Sequence, residues 1–347
     1  MSETRPIVAI TMGDPAGIGS EIVVAAYREL LSSARPLVIG DADALRAATD
    51  VRGSALDVVA VEGVDEARFE RDAIPLLDLD NVDEIEYGVV REDYGAASLA
   101  YVERAIDLAT DGAVDAIATA PINKQATRLA GSEHAGHTGL LAAATDTDRY
   151  SMMLVEDDLR VTHVSTHVPL REACDLVTEA NVFETIQVTD RALREMGITA
   201  PEIAVAGLNP HASDGGLLGD AEAGEIRPAV EHARREGIDA DGPRSPDTVY
   251  VQAASGDYDC VVSMYHDQGH IPIKMLGFTG GDAVSGVNVT IGLPIVRTSV
   301  DHGTAFDIAG EGVASEASLL DAVELAADIA RRRTEMSEKP TGSGVGQ

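Results

Sequence analysis

The sequence predicts an α/β protein built on a largely parallel sheet. Short apolar runs rich in β-branched residues recur along the 347-residue chain, and stretches with helical periodicity separate them. Strands that alternate with helices form βαβ units, in which the strands run parallel. Because the chain is longer than one core usually grows, we expect two domains or one large α/β unit.

The elements follow in order along the chain. Strands are predicted in PIVAIT, RPLVIGD and VDAIATAP, and amphipathic helices in SLAYVERAIDLATDG and DLVTEANVFETIQVTDRALREMG. SLLDAVELAADIARRR is predicted to be a closing helix with its arginines in the last turn, where cations stabilise the helix dipole. The polar, glycine-rich end of the chain predicts a disordered tail over 336–347.

The charge balance excludes two classes of partner. Fifty-nine acidic residues against 26 basic ones give a formal net charge of -33, which repels nucleic acid and anionic membranes. The acids are scattered and lysine occurs only at Lys124, Lys274 and Lys339, a pattern that predicts a surface adapted to high salt.

No apolar run approaches the roughly 18 to 20 residues of a membrane span, and the start lacks a secretion signal. We therefore expect a cytoplasmic protein.

Three histidines, His167, His211 and His266, each follow a short apolar run, in VTHVSTHVPL, EIAVAGLNPH and DCVVSMYHDQGH. Ligands collect at the carboxyl ends of parallel strands, so three imidazoles placed there could converge on one cleft. Three neutral imidazoles without a fourth protein ligand leave a coordination position open, as a catalytic ion requires. The alternative is that they are separate loop or core histidines, because no HExxH or CxxC spacing marks a metal site locally.

Two further segments could bind an anion. GDPAGIGSEI follows the first strand and opens a helix, although it is not GxGxxG and could equally be a tight turn. In HAGHTGLLA, His137 and Thr138 start a predicted helix, where imidazole, hydroxyl and free amides can hold a phosphate or carboxylate, or where the threonine is only an N-cap.

The remaining polar clusters stand near the end of the chain. In YHDQGHIPIK, we expect His266, Asp267 and Lys274 to lie at a strand end and in the loop after it, where the carboxylate could orient the histidine. Asn288 and Arg297 flank an apolar strand, and an arginine can bind an oxyanion through two hydrogen bonds or form a surface salt bridge. The glycine-rich segment DHGTAFDIAG predicts a tight loop that a ligand or another backbone can approach closely.

Taken in order, GDPAGIGSEI, TAPINK, GHT, STHVPLREA, GLNPHA, SPDT, YHDQGHIPIK, GVNVTIGLP and RTSVDHGTAFDIAG resemble the 4-hydroxythreonine-4-phosphate dehydrogenase family over nearly the whole chain. The resemblance implies a two-domain fold of the isocitrate and isopropylmalate dehydrogenase type with a cleft between the domains. On that fold we expect one domain from 1–130 with 298–335, and a second from 131–297. It also implies a homodimer with the active site at the interface, NAD or NADP, and a divalent metal such as Zn, Co or Mg.

The resemblance assigns roles by position in the motifs. These are metal binding for His167, His211 and His266; substrate binding for His137, Thr138, Lys274, Asn288 and Arg297; catalysis for Asp247, Asp267 and Lys274; and cofactor binding for His302, Gly303, Thr304 and Asp307. The sequence departs from the family pattern at Gly139, in NPHASDGG, and in an insertion over 279–285. These departures concern the shape of the substrate site.

The expected reaction is the oxidation of 4-phosphooxy-threonine to a 3-oxo acid that loses carbon dioxide. In it the ion acts as a Lewis acid and the dinucleotide accepts the hydride. Relatives that oxidise 4-phospho-D-threonate or 4-phospho-D-erythronate provide the alternative substrate, and others act on dihydrodiols without phosphate. A metal-dependent hydrolase and a non-catalytic metal-binding protein are two further classes that the residues allow.

Overall fold

The structure is a computed structural model that describes residues 5–132, 137–279 and 286–338; the side chains of 137, 138, 277–279 and 338 are outside that description. Its strands are β1 (Ile7–Thr11), β2 (Arg35–Gly40), β3 (Asp57–Val61), β4 (Ala73–Asp78), β5 (Ala116–Thr119), β6 (Ser151–Glu156), β7 (Leu159–His163), β8 (Ile203–Ala206), β9 (Ala240–Arg244), β10 (Cys260–Ser263), β11 (Val287–Ile291) and β12 (Arg297–Val300).

Helices connect most of these strands. They are α1 (Gly19–Leu30), α2 (Ala42–Val51), α3 (Glu92–Thr110), α4 (Lys124–Leu129), α5 (His137–Ala144), α6 (Leu170–Asp175), α7 (Glu179–Glu195), α8 (Arg227–Arg235), α9 (Val249–Ala254), α10 (His266–Thr279) and α11 (Ala317–Glu338). Among the described residues, no helix combines the length and the apolar character needed to cross a bilayer.

The described strands form one 12-stranded sheet in the order β3-β4-β2-β1-β5-β12-β11-β6-β7-β10-β8-β9. Every pairing from β3 to β12 is parallel, as are those among β7, β10, β8 and β9. The antiparallel pairs β12–β11, β11–β6 and β6–β7 join the two parallel halves. The predicted α/β class with a mostly parallel sheet is confirmed. The division into 1–130 with 298–335 and 131–297 stays a prediction.

Helices cover both faces of the half that carries the histidines, and this explains its nearly continuous apolar strands. In β8, Ile203 and Val205 join the main core cluster, whereas Ala204 and Ala206 join a smaller cluster that includes residues of α9 and α10. Successive strand residues point to opposite faces, so a strand buried on both faces is apolar at every position. The short runs ahead of the three histidines therefore mark buried parallel strands.

Two expectations from the sequence are wrong in detail. The residues after His266 form helix α10 and not a loop, although Gly269 and Pro272 lie inside it. The closing helix runs to Glu338, so 336–338 are helical and the arginines do not lie in its last turn. Arg333 instead pairs with Glu195 of α7, with 2.8 Å between Nη2 and Oε2. Residues 339–347 of the predicted tail lie outside the described residues.

Candidate active site

The main candidate site is a cleft of about 390 Å³ between the two parallel halves of the sheet. Polar side chains from both halves line it: Thr119, Lys124, His167, His266, His270, Lys274, Asn288, Arg297, Ser299, Asp301 and His302. Two of the three lysines of the chain are in this list. In a protein with a formal net charge of -33, the cleft therefore concentrates positive charge where an anionic ligand would bind.

The three predicted metal ligands follow three neighbouring parallel strands. His167 follows β7, His266 follows β10, and His211 follows β8, while β10 pairs with both of the others. The structure thus confirms that the three histidines stand beyond the carboxyl ends of adjacent strands. It brings two of them into one cleft, where the ring centroids of His167 and His266 lie 5.6 Å apart.

His211 occupies a neighbouring pocket with Asp247 and Asp267. Its Nδ1 lies 3.3 Å from Oδ2 of Asp247, and four successive residues from His211 to Asp214 have left-handed backbone angles. Within residues 5–132, 137–279 and 286–338, no three His, Cys, Asp or Glu side chains are arranged to hold a metal ion. One chain therefore supplies two of the three predicted metal ligands to the cleft and holds the third outside it.

Two histidines that the sequence analysis did not select complete a four-histidine cluster. The ring of His270 stacks on that of His266, with 3.6 Å between centroids, and His163 lies behind it, with 4.8 Å between the His163 and His270 centroids. Burial lowers the pKa of His163 to about 3 and that of His270 to about 4, and burial also lowers the pKa of His167. These three imidazoles are neutral at pH 7, which is the form that binds metal.

Hydrogen bonds to carbonyl groups determine the tautomers of His163 and His270. His270 Nδ1 lies 3.0 Å from the carbonyl oxygen of His266 and 3.2 Å from His163 Nε2, and His163 Nδ1 lies 3.4 Å from the carbonyl oxygen of Met152. Because a carbonyl oxygen only accepts, both Nδ1 atoms carry the proton. Nε2 of His270 therefore keeps its lone pair, on a side chain that lines the cleft.

Helix α10 explains why His266, His270 and Lys274 lie together. They are spaced four residues apart, so they share one helix face, whereas Asp267 and Ile271 face the pocket of His211. Lys274 Nζ donates to the backbone oxygen of Asp301 at 2.8 Å and pairs with the carboxylate of the same residue. Lys274 is thus a hydrogen-bond donor at the rim of the cleft, fixed to the start of the DHGTAFDIAG segment.

Arg297 and Asn288 provide polar groups at the base of the cleft. Arg297 is 2% exposed and donates to the hydroxyls of Thr119 and Thr290, and burial lowers the pKa of its guanidinium to about 9. Nδ2 of Asn288 lies 3.2 Å from Sδ of Met152, and its buried Oδ1 has no hydrogen-bond partner among the described residues. A buried acceptor of this kind is costly unless a ligand or water satisfies it.

The other predicted residues are distributed as follows. His302 and Gly303 line the cleft, Thr304 is buried with its carbonyl accepting from Ile18, and Asp307 is exposed and outside the cleft. The backbone of His137 and Thr138 begins α5, as expected, but their side chains lie outside the described residues. Residues 280–285 of the insertion also lie outside them.

Sequence reasoning missed His163, His270 and Asp301. The four-residue spacing of His266, His270 and Lys274 could have indicated a shared helix face, but the glycine and the proline between them concealed the helix. His163 is the last residue of β7 and looks like an ordinary core residue in the sequence. Asp301 was predicted to lie in a loop and was given no role in the site.

Comparison with known proteins gives a consistent result. The D-threonate 4-phosphate dehydrogenase of Cupriavidus necator is 46% identical over 96% of this chain and 100% of its own length. The 4-hydroxythreonine-4-phosphate dehydrogenase of Desulforapulum autotrophicum is 44% identical over 94% of this chain and 96% of its own length. The crystal structure of a 4-hydroxythreonine-4-phosphate dehydrogenase from Klebsiella pneumoniae superposes with a TM-score of 0.83 at 45% identity, covering 94% of this chain and 99% of that chain.

The fold, the cleft and these relatives define an enzyme of the dehydrogenase class that acts on a CH–OH group. Residues 32–326 match the family described as the pyridoxal phosphate biosynthetic protein PdxA. This chain belongs to that family, and the resemblance found in the sequence motifs is confirmed.

Proposed function

We propose that this enzyme oxidises a 4-phosphorylated four-carbon hydroxy acid with NAD or NADP. The first candidate substrate is 4-phosphooxy-threonine, and the alternative is 4-phospho-D-threonate or 4-phospho-D-erythronate; relatives named for the first of these and for a D-threonate phosphate are almost equally similar to this chain. The observation that carries the proposal is the cleft itself. It places Lys274 and Arg297, both suited to phosphate, beside the neutral imidazoles of His167 and His270.

The residues divide the work between the two ends of the substrate. Lys274 and Arg297 bind the phosphate, together with His137 and Thr138 at the start of α5, and the unpaired Oδ1 of Asn288 accepts from a substrate hydroxyl or ammonium. Transfer of hydride from C3 to the dinucleotide, with loss of the proton of the C3 hydroxyl, would give a 3-oxo acid, whose carboxylate would leave as carbon dioxide while C2 takes up a proton. His302 and Gly303 lie on the cofactor side of the cleft, with Thr304 and Asp307 following in the same segment.

We also propose that the enzyme is a homodimer whose site is completed across the interface. Apolar side chains on α6, α9 and α10 are largely exposed in a single chain: Leu170 62%, Val251 68%, Ile271 58% and Met275 63%. Leu170 borders the pocket of His167, and Ile271 borders that of His211. A second subunit that covers this surface could bring its own His211 and Asp247 to the cleft.

In this arrangement His167 and His266 from one subunit and the partner's His211 hold a divalent ion. Two of these ligands are in place, and the neutral state of His167 fits the donor set. The ion, when bound, supplies Lewis-acid stabilisation of negative charge on the substrate oxygen. Asp267, whose Oδ1 lies 2.7 Å from His266 Nδ1, orients that ring so that its Nε2 is available as the ligand atom.

Substrate oxidation is tested with purified protein in molar potassium chloride. The three phosphorylated acids and their dephosphorylated counterparts are supplied with NAD or NADP, and absorbance at the nicotinamide band and carbon dioxide release are followed. We expect reduced cofactor and carbon dioxide with one or more phosphorylated acids. Release of inorganic phosphate without cofactor reduction would instead identify a hydrolase, and equal rates with dephosphorylated acids would contradict the phosphate assignment.

The shared site is tested by mixing two inactive variants, His167→Ala and His211→Ala, under conditions that exchange subunits. If each site takes His167 from one chain and His211 from the other, about one quarter of the sites regain a complete ligand set on random mixing. If both ligands come from the same chain, mixing restores nothing. His167→Ala mixed with His266→Ala is the matched control, because those two lie in the same cleft of one chain and should not complement.

A further inference from the structure

The connection from β12 to α11, residues 301–316, carries the segment that faces the proposed cofactor side of the cleft. Helix α1 and the residue before it contact this connection at two points. The backbone N–H of Ile18 donates to the carbonyl of Thr304 at 3.1 Å, and further along the backbone N–H groups of Gly310 and Gly312 donate to Glu21 Oε1 and Oε2 at 2.6 and 2.9 Å. Residues 304, 310 and 312 of this connection are therefore fixed to the start of one helix.

Glu21 is unusual because its side chain is completely buried, at 0% exposure. A buried carboxylate is unfavourable unless hydrogen bonds compensate for the lost hydration. Each oxygen of Glu21 receives one backbone N–H, and a charged acceptor makes these bonds stronger than neutral ones. A carboxylate suits the pair because both of its oxygens accept, whereas a glutamine would place an NH₂ group against one of the two N–H groups.

The backbone around these contacts is closely packed and leaves no room for a side chain at two of its glycines. A Cβ at Gly17 would lie 3.0 Å from Cβ of Thr304, and a Cβ at Gly310 would lie 2.6 Å from the ring of Tyr87. Gly310 and Gly312 also have positive φ, of 84° and 71°. The segment is therefore closely packed against the start of α1 and against the Tyr87 ring. The hydrogen bonds of Glu21 hold its backbone in this conformation.

We propose that Glu21 is a positioning residue for dinucleotide binding, holding residues 302–312 in the conformation that presents the cofactor side of the cleft. This rests on the proposed function, because it assumes that the segment binds NAD or NADP. Glu21 itself is completely buried and does not line the cleft. It acts through the backbone of Gly310 and Gly312.

The test compares Glu21→Gln and Glu21→Asp with Glu195→Gln as the matched control. Glu195 is a largely buried carboxylate that also accepts two hydrogen bonds, from Arg333, but it lies on α7 away from the cleft. The dissociation constant for NAD and NADP is measured by calorimetry, alongside the melting temperature and the KM for the hydroxy acid. All measurements use the full-length protein in molar salt.

We expect Glu21→Gln to raise the dinucleotide dissociation constant about tenfold or more, from the loss of a charge-assisted hydrogen bond and the new donor–donor contact. Glu21→Asp keeps the charge but is one methylene shorter, so we expect a smaller rise. Glu195→Gln should lower the melting temperature without changing dinucleotide affinity, and the KM for the hydroxy acid should change less than about twofold in every variant.

A Glu21→Gln enzyme that melts earlier but binds dinucleotide as tightly as the wild type would overturn the inference and leave the proposed function intact. If Glu21→Gln does not fold, Glu21→Asp decides the question in the same way. A wild-type protein that binds neither NAD nor NADP would remove both the proposed function and this inference. The two failures are thus distinguished by the wild-type measurement.

Discussion

Replacing Lys274 tests the phosphate assignment directly. Lys274→Met removes the ammonium group while keeping a side chain of similar length and apolar volume. The change should not disturb helix α10, because methionine and lysine have similar helix propensity. It also leaves the carboxylate of Asp301, which is paired with Lys274 in the structure, without that cation.

The size of the effect follows from this local arrangement. Truncating one partner of a buried, hydrogen-bonded charge pair costs about 2 to 5 kcal/mol. The side chain of Lys274 is 30% exposed and already paired with Asp301, so we expect the lower half of that range. A loss of about 2 to 3 kcal/mol lowers kcat/KM for the phosphorylated acid roughly 30- to 150-fold. Part of this loss is repulsion by Asp301, so Lys274→Met combined with Asp301→Asn should recover some of it.

The assay is the ratio of kcat/KM for a phosphorylated hydroxy acid to that for its dephosphorylated analogue. We expect a large ratio in the wild type, a ratio reduced roughly 30- to 150-fold in Lys274→Met, and an intermediate one in the double variant. A wild-type ratio near one, or a large ratio that the substitution leaves untouched, would show that Lys274 does not bind phosphate. A wild-type ratio near one would in addition indicate a substrate without phosphate, such as a dihydrodiol.

Three further predictions concern metal, salt and pH. Changing His167, His211 or His266 to Ala should remove bound metal, measured by elemental analysis, with the fold retained; stoichiometric metal in the triple variant would refute the site. Lowering potassium chloride from molar to millimolar should lower the melting temperature, because repulsion then acts over a Debye length of about 30 Å at 0.01 M; an unchanged melt would refute the salt adaptation. Burial raises the pKa of Asp14 to about 6, so the folded protein holds this proton more tightly than the unfolded chain does. The protein should therefore lose stability as the pH rises from about 4 through 6 and the buried carboxyl group becomes charged. Asp14→Asn should remove that loss and stabilise the protein by about 1 to 3 kcal/mol at pH 8, measured by urea unfolding at pH 4 and pH 8; equal effects at both pH values would contradict it.

The sequence determined the class of fold and the strand ends that carry the site. Alternating apolar runs and amphipathic helices were sufficient for a parallel α/β sheet, because burial on both faces leaves a strand apolar at every position. The placement of His167, His211 and His266 each after a buried strand follows from the same rule, whereas the structure shows that these three strands are neighbours. These features depend on local sequence, so they could be predicted without coordinates.

Only the tertiary structure decided which of these residues share a cleft. His270 joins the site because α10 continues through Gly269 and Pro272, although both residues argue for a loop in the sequence. His211 leaves it because the chain after β8 turns through four left-handed residues into a neighbouring pocket. The pairing of Lys274 with Asp301 and the contact of Glu21 with Gly310 join residues 27 and 289 positions apart. Contacts over such separations depend on how the elements pack, and the periodicity of one segment carries no information about its distant partner.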